Sequence, residues 1–304
     1  MEFQYRDMSE LILRANAKIN LFLEVGGRRE DGYHDIVSVM QSVSLADEVS
    51  VRTEADADAG IRLDCGELPG DERNIAYRAA AMFYSEVGIS PRADIVIRKQ
   101  IPVAAGLAGG STDGAAVLYA LERMYGNPLG LSRLTACAAR LGADVPFCLF
   151  GGAMLAEGIG ERLSPCTPLP DCTVLIAKRS EGVLTAGAFG ALDRLRGGSG
   201  FSLRKPQGML DAVAGGSLRD IGEELYNAFE ALPYAETLGT RRIRKICRAF
   251  GGYALLSGSG PSVFALFEQR DAADNAARSL RSEYSDISVF LCSPVKSNFG
   301  LNGN

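Results

Sequence analysis

A chain of 304 residues that is 47% hydrophobic and 23% charged has an ordinary globular composition, and its length suits two typical domains or one large one. A formal net charge of −5, with RRIRK at 241–245 as the densest cationic cluster and spaced like a solvated helix face, argues against a nucleic-acid partner. Seven cysteines without a CxxC and one histidine, His34, argue against a zinc site or disulfide framework and for a reducing cytoplasm; MEFQYRDMSE is too polar for a signal peptide, and no apolar run reaches membrane-spanning length.

Residues 11–25, LILRANAKINLFLEV, mix alternating and continuous apolar positions and predict one or two strands. GGRREDGYHD at 26–35 predicts a polar glycine loop, and IVSVMQSVSL, VSVRTEA and IRLDC predict three further strands. ERNIAYRAAAMFYSEVG has helical spacing, with Gly88 as its C-cap, and ADIVIRKQ predicts a strand. That strand runs into IPVAAGLAGGSTDGAA at 101–116: an apolar approach, a turn carrying Gly106, Gly109 and Gly110, hydroxyls at Ser111 and Thr112, then a helix. Glycines let the backbone approach a ligand closely, and the helix presents its free N–H groups and positive end to the turn. Phosphate fits there; an ordinary Ser/Thr-capped helix is the plainer reading of the same residues.

LSRLTACAARLG predicts the next helix, with Ser132 as N-cap and Gly142 as its end, and ADVPFCLFGGAMLAEGIGERL predicts a loop and paired strands. The prolines around 165–171 predict a crossover between domains. The second half predicts a strand at TVLIAK, helical segments at 185–195, 223–230 and 239–249, and a strand–glycine turn–strand at YALLSGSGPSVFALFE. A helix at DAADNAARSLRSEY, a strand at ISVFLCSPV and a loose tail, SNFGLNGN, complete the chain, with RLRGGSGFSLRKPQG as the least structured internal stretch. Several strands precede any helix, which favours α+β over a doubly wound sheet.

Some residues stand out chemically. Lys18 and Asn20 in AKIN share one face of a strand. They suit binding a phosphate or orienting a hydroxyl, though alone they read first as the wet face of an edge strand. Asp144 in LGADVPF lies just past a helix end and before Pro146, in a bend with apolar flanks. A carboxylate there wants a partner, for which Lys18 is one candidate; a turn aspartate bonding local backbone is the alternative. Gly258 and Gly260 make a second glycine turn, either a tight hairpin or a close approach to substrate or to the first glycine loop. Tyr33 and His34 suit stacking on and hydrogen-bonding to a planar base, or simple loop packing. The chain has no GxxxxGK[ST], no HRD…DFG set and no GxSxG, so P-loop, protein-kinase and common hydrolase chemistries are absent.

In this order, AKINLFLEV, DGYH, IPVAAGLAGGSTDGAA, LGADVPF and LSGSGPSVFALF resemble the GHMP small-molecule kinases over about 14–293. GRREDGYHDI and LGADVPFCLFGG point within that family to enzymes whose acceptor carries a cytidine diphosphate group. The resemblance implies an α+β, two-domain GHMP kinase fold: a ribosomal protein S5 domain 2-like N-terminal domain (1–168) and a ferredoxin-like C-terminal domain (169–304) around a cleft. The implied reaction is ATP- and magnesium-dependent phosphorylation of a 2-hydroxyl on a methylerythritol group, on the methylerythritol phosphate route to isoprenoid precursors.

By resemblance, the stretch Ala104, Ala105, Gly106, Leu107, Ala108, Gly109, Gly110, Ser111 and Thr112, preceded by Pro102, wraps the ATP phosphates, with Asn74 and Lys99 near the nucleotide and Lys99 also near Asp144. Lys18 and Asp144 match the catalytic pair, with Asp144 as base. Asn20 orients the acceptor, Tyr33 and Phe189 sandwich cytosine, and His34 reads it. Thr185 contacts the methylerythritol end, and Gly258, Ser259 and Gly260 border the substrate. Ser111 or Thr112 helps hold magnesium, the nucleotide phosphates supplying most ligands. Departures are Asn16 where a proline is common and KRSEGVLTAGAF where a proline-rich turn is usual. The implied partner is that small molecule alone, with neither nucleic acid nor membrane, for a cytoplasmic monomer or homodimer. A GHMP kinase of a smaller alcohol and a non-catalytic nucleotide-binding regulator are the alternatives.

Overall fold

Alternating and β-branched residues carry two strands to 19 residues each: β1 (Glu10–Arg28) and β2 (His34–Arg52) form one long antiparallel hairpin. The loop expected over 26–35 shrinks to 29–33, where the Tyr33 N–H donates to the Asp31 carboxylate at 3.0 Å. The structure is a computed structural model and describes residues 9–53, 60–180, 185–197 (side chains from 187), 203–233 and 239–301.

β3 (Ile61–Asp64), β4 (Ala93–Arg98), β5 (Ala153–Glu157) and β6 (Arg162–Pro165) join the hairpin in one sheet. Its main path is β3-β4-β2-β1, and β5 pairs with both β2 and β6. Helices α1 (Ile75–Val87), α2 (Gly109–Met124), α3 (Gly130–Leu141) and α4 (Val145–Phe150) supply the other half of its core. Asn74 caps α1 through a 3.0 Å bond from the Ala76 N–H, and Gly88 ends it with φ 76°. Ala115, Ala116, Val117, Leu118, Ala120 and Leu121 are all fully buried, so α2 is the central helix.

Two expectations fail here for local reasons. α3 starts at Gly130 rather than after a Ser132 cap, because Glu122 of α2 accepts the N–H groups of Leu129 and Gly130 at 3.2 and 2.7 Å. Residues 145–150 form a helix instead of a loop, because Pro146 falls in its first turn, where no N–H is needed.

In the second half, β7 (Thr173–Arg179) precedes α5 (Thr185–Arg196), α6 (Gln207–Gly215) and α7 (Leu218–Glu224). α6 starts within the stretch that looked least structured, and the helix expected at 223–230 resolves into the end of α7, the short strand β8 (Tyr226–Asn227) and a 3-10 turn at Ala228–Ala231. β8 pairs in parallel with Phe22 and Leu23 of the first sheet. Then come α8 (Thr240–Ala249), β9 (Tyr253–Leu256), β10 (Val263–Phe267), α9 (Arg270–Glu283) and β11 (Ile287–Cys292).

The second sheet is antiparallel, in the order β11-β7-β10-β9. Strand alternation splits its side chains. Leu175, Ala177, Val263 and Ala265 face α8 and α9, while Val174, Ile176, Phe264 and Leu266 join a core with Ala17, Ile19 and Leu21 of β1. That shared core packs the two sheets together around β1. The described part of the tail, 297–301, is docked rather than loose: the Asn298 N–H bonds the Phe150 carbonyl at 3.1 Å, and Phe299 stacks on Tyr119 with centroids 4.9 Å apart. Among the described residues no helix is long and apolar enough to cross a membrane.

Candidate active site

The glycine loop enters α2 without a cap. Ala108, at φ 59°, occupies the N-cap position and makes no side-chain bond there, so neither Ser111 nor Thr112 caps the helix. The first backbone bond into α2 runs from the Thr112 N–H to the Ala108 carbonyl at 2.9 Å. The N–H groups of Gly109, Gly110 and Ser111 thus sit at the positive end of a 16-residue helix, an arrangement suited to an anion. Ala104, Gly106 and Ala108 all have positive φ, and two of them bear a Cβ, so the surrounding structure holds the loop in an unfavourable shape. One reason is the second glycine turn: Ser257 Oγ donates to the Gly106 carbonyl at 3.1 Å, and a Cβ on Gly106 would collide with the Ser257 carbonyl. The close approach of the two glycine turns, left open by the sequence, is what the structure adopts.

Lys18 lies between two β-bulges of β1, which shift register between Asn16 and Lys18 and between Asn20 and Phe22. The Lys18 N–H bonds the Leu107 carbonyl of the glycine loop at 3.1 Å instead of a strand neighbour. β1 is an interior strand, and Lys18 and Asn20 are 4% and 1% exposed, so they are not the wet face of an edge. Lys18 Nζ donates to Asn20 Oδ1 at 2.8 Å, and Asn20 Nδ2 donates to Ser38 Oγ at 2.9 Å. Asp144 stands at the N-cap of α4 yet caps nothing with its side chain; its carboxylate lies 3.8 Å from Lys18 Nζ and is one-third exposed. A buried ammonium thus stands beside a partly open carboxylate.

Lys99 is held elsewhere. Its Nζ donates to Asp113 at 2.6 Å and to Asp47, so Asp47 and Asp113, rather than Asp144, are its partners. Asp47 also accepts the N–H groups of Gln100 and Ile101 at 2.6 and 2.8 Å, fixing the segment that opens the glycine loop. Burial raises the Asp113 carboxyl to about 7, opposed by Lys99 and reinforced by Asp47.

Across the cleft, Tyr33 projects from the β1–β2 loop and is 57% exposed. His34, the first residue of β2, is nearly buried; its ring lies 5.0 Å from that of Phe189, which packs edge-on against Phe229 at 4.9 Å. His34 Nε2 is 2.9 Å from Asp193. A carboxylate only accepts, so Nε2 carries a proton, and the matching tautomer of a neutral imidazole leaves Nδ1 as an acceptor. Arg196 anchors the same helix to β1 through a 2.8 Å bond to Glu24.

These residues share one cleft of about 830 Å³. Lys18, Asn20, Tyr33, His34, Asn74, Lys99, Pro102, every residue from Ala104 to Ser111, Asp144, Phe189, Gly258 and Ser259 line it. Two expected site residues do not. Thr112 is fully buried behind the loop, and Gly260 packs against Gly106 and Leu256 instead of facing the cleft. Thr185 opens α5, but its side chain is outside the described residues. Asn74 spends its amide on the α1 cap and on the Pro69 carbonyl at 2.9 Å. Asp47, Asp113 and Asp193 were not foreseen, although the four-residue step from Phe189 to Asp193 on one helix face was a readable signal.

Comparison with known proteins gives matches to "GHMP kinases N terminal domain" over 74–152 and to "GHMP kinases C terminal" over 209–286. The chain is 38% identical over 282 residues to the 4-diphosphocytidyl-2-C-methyl-D-erythritol kinase of Exiguobacterium sibiricum, covering 92% of this chain and 96% of that one. A crystal structure of 4-(cytidine 5'-diphospho)-2C-methyl-D-erythritol kinase superposes with TM-score 0.77 at 33% identity, covering 93% and 99% of the two chains. A homoserine kinase from Cytophaga hutchinsonii shares the fold, with TM-score 0.73 at 22% identity, covering 99% of this chain and 98% of that one.

Proposed function

The chain belongs to the GHMP kinases, and from that premise we propose how its cleft transfers the γ-phosphoryl group of ATP to the 2-hydroxyl of 4-diphosphocytidyl-2-C-methyl-D-erythritol, a step toward isoprenoid precursors. The observation that carries the reading is the position of the Lys18–Asp144 pair. Both residues line the same cleft as the uncapped start of α2 and as Tyr33, His34 and Phe189. Donor and acceptor therefore meet over one base.

In the proposed mechanism the loop from Ala104 to Ser111 wraps the ATP phosphates, with Lys99, Asn74 and Pro102 bordering the nucleotide. Backbone N–H groups and the α2 dipole put positive potential where charge accumulates during transfer. Lys18, tied to the loop at its backbone and to Asn20 at its tip, adds a cation at that point. Tyr33 and Phe189 stack on cytosine, while Nδ1 of His34, fixed as an acceptor by Asp193, takes a hydrogen bond from the exocyclic amine. Uracil offers an acceptor at that position and is disfavoured, because two acceptors are left unpaired. Asn20 orients the acceptor hydroxyl. As its oxygen bonds to the γ-phosphorus and the bond to the β-phosphate oxygen breaks, Asp144 takes the proton.

Magnesium fits this site as a phosphate-borne ion. Among the described residues no cluster of three His, Cys, Asp or Glu could hold it alone. Asp113 Oδ1 is buried without a hydrogen-bond partner, and Ser111 lies in the first turn of α2. Those two would hold the ion beside the phosphate oxygens, whose charge it neutralises when bound. We also place the domain boundary at 168/169, between β6 and β7.

Asp144→Asn keeps the shape and removes the base; it should lower kcat by at least a hundredfold with little change in either KM. Steady-state turnover on the cytidyl substrate, with homoserine and mevalonate as control acceptors, tests both parts. Unchanged turnover in the variant would refute the base, and faster turnover of either control would refute the substrate.

A further inference from the structure

Asp144 has an unusual problem for a proposed base: among the described residues nothing hydrogen-bonds its carboxylate. Its position is therefore set by how α4 is seated. α4 is only six residues long and too short to hold its shape alone. Five of its six residues, Val145 to Leu149, are buried and hold its flanks in the core, leaving its C-terminal end to be fixed by hydrogen bonds. Its C-terminal carbonyls are bound by a segment over 140 residues away in sequence. Asn298 Nδ2 donates to the Cys148 carbonyl at 2.6 Å, and the Asn298 N–H donates to the Phe150 carbonyl at 3.1 Å. The remaining Asn298 atom, Oδ1, accepts from Asn16 Nδ2 at 3.2 Å. Asn16 lies immediately before the bulge that presents Lys18.

We propose that Asn298 is a positioning residue for phosphoryl transfer: it clamps the helix that carries Asp144 to the strand that carries Lys18. It rests on the assignment of Asp144 as base. The rest of the tail supports the clamp. Val295 bonds Ser42, the strand partner of Lys18, and Gln41 Nε2 bonds the Val295 carbonyl at 2.9 Å. Gly151 and Gly152, which end α4, have no room for a Cβ because Asn298 and the Lys296 carbonyl lie against them.

The test is a double-mutant cycle. Asn298→Ala should lower kcat about tenfold with both KM values within twofold, since a small misplacement of a reacting group is costly. Asn16→Ala, which removes one of the three bonds, should lower kcat by a smaller factor. In an Asp144→Asn background, Asn298→Ala should change the residual kcat less than twofold, because no base remains to misplace. A tenfold loss persisting in that background means the tail acts on something else, and an unchanged kcat in Asn298→Ala means it has no such role. Either overturns the clamp. If Asn298→Ala does not fold, the cycle is run with Asn16→Ala: its smaller kcat loss should vanish in the Asp144→Asn background, and a loss that persists there, or no loss at all, overturns the clamp. If Asp144→Asn itself turns over normally, the base assignment falls and the clamp falls with it; a deficient Asp144→Asn with a normal Asn298→Ala sinks the clamp alone.

Discussion

Removing the Asp47 carboxylate isolates how the glycine loop is held. The group is fully buried, and it accepts two backbone N–H groups, from Gln100 and Ile101, besides the Lys99 ammonium. Asp47→Ala leaves both N–H groups without a partner, at about 1–3 kcal/mol each. Lys99 keeps Asp113, so the full cost of an orphaned buried charge, about 3–5 kcal/mol, is not incurred. Loss of the repulsion between Asp47 and Asp113 offsets part of the total. The expected destabilisation is about 3–4 kcal/mol. Asp47→Asn keeps an oxygen for the two N–H groups but turns an amide nitrogen toward Lys99, so about half that loss is expected. Urea unfolding at a common m-value measures both, and the ATP KM should rise in the alanine variant because Ile101 leads directly into the loop. Destabilisation below about 1 kcal/mol in Asp47→Ala, or equal losses in the two variants, would show that these bonds do not hold the loop.

Two further substitutions probe the opposite walls of the cleft. Phe189→Ala removes one stacking face, worth about 1–3 kcal/mol, so the KM for the cytidyl substrate should rise about ten- to a hundredfold while that for ATP stays within twofold. Equal effects on both ligands would count against the sandwich. Gly106→Ala forces a Cβ into φ 72° and against the Ser257 carbonyl; the backbone strain alone is about 1–2 kcal/mol. A tenfold or larger rise in the ATP KM is expected, and a normal KM with normal thermal stability would mean the loop relaxes freely.

Much of the site was legible because its signals are local. The spacing of Gly106, Gly109 and Gly110 before a helix, and of Lys18 and Asn20 on a strand, needs no knowledge of distant chain. What was missed depends on long-range contacts. Lys99 pairs with Asp47 from 52 residues away, and no periodicity announces such a pairing. Ser132 was a reasonable cap by type, but Glu122 reaches the helix start first. Pro146 read as a break although a first-turn proline starts a helix as readily as it ends one. The tail carries few apolar residues, and only the surfaces that its described part meets, Tyr119 and the end of α4, reveal that this part is docked.

The two residues of β8 have a consequence for how the molecule can be divided. They come from the second half, yet they extend the sheet of the first, and Asn227 Nδ2 then donates to the carbonyls of Leu256 and Gly258, both at 2.8 Å. Cutting the chain between the family-defined halves would strip a neighbour from β1 beside Phe22 and Leu23, exposing a backbone edge open to pairing with another copy. The halves are interlaced, and neither is a finished object without the other.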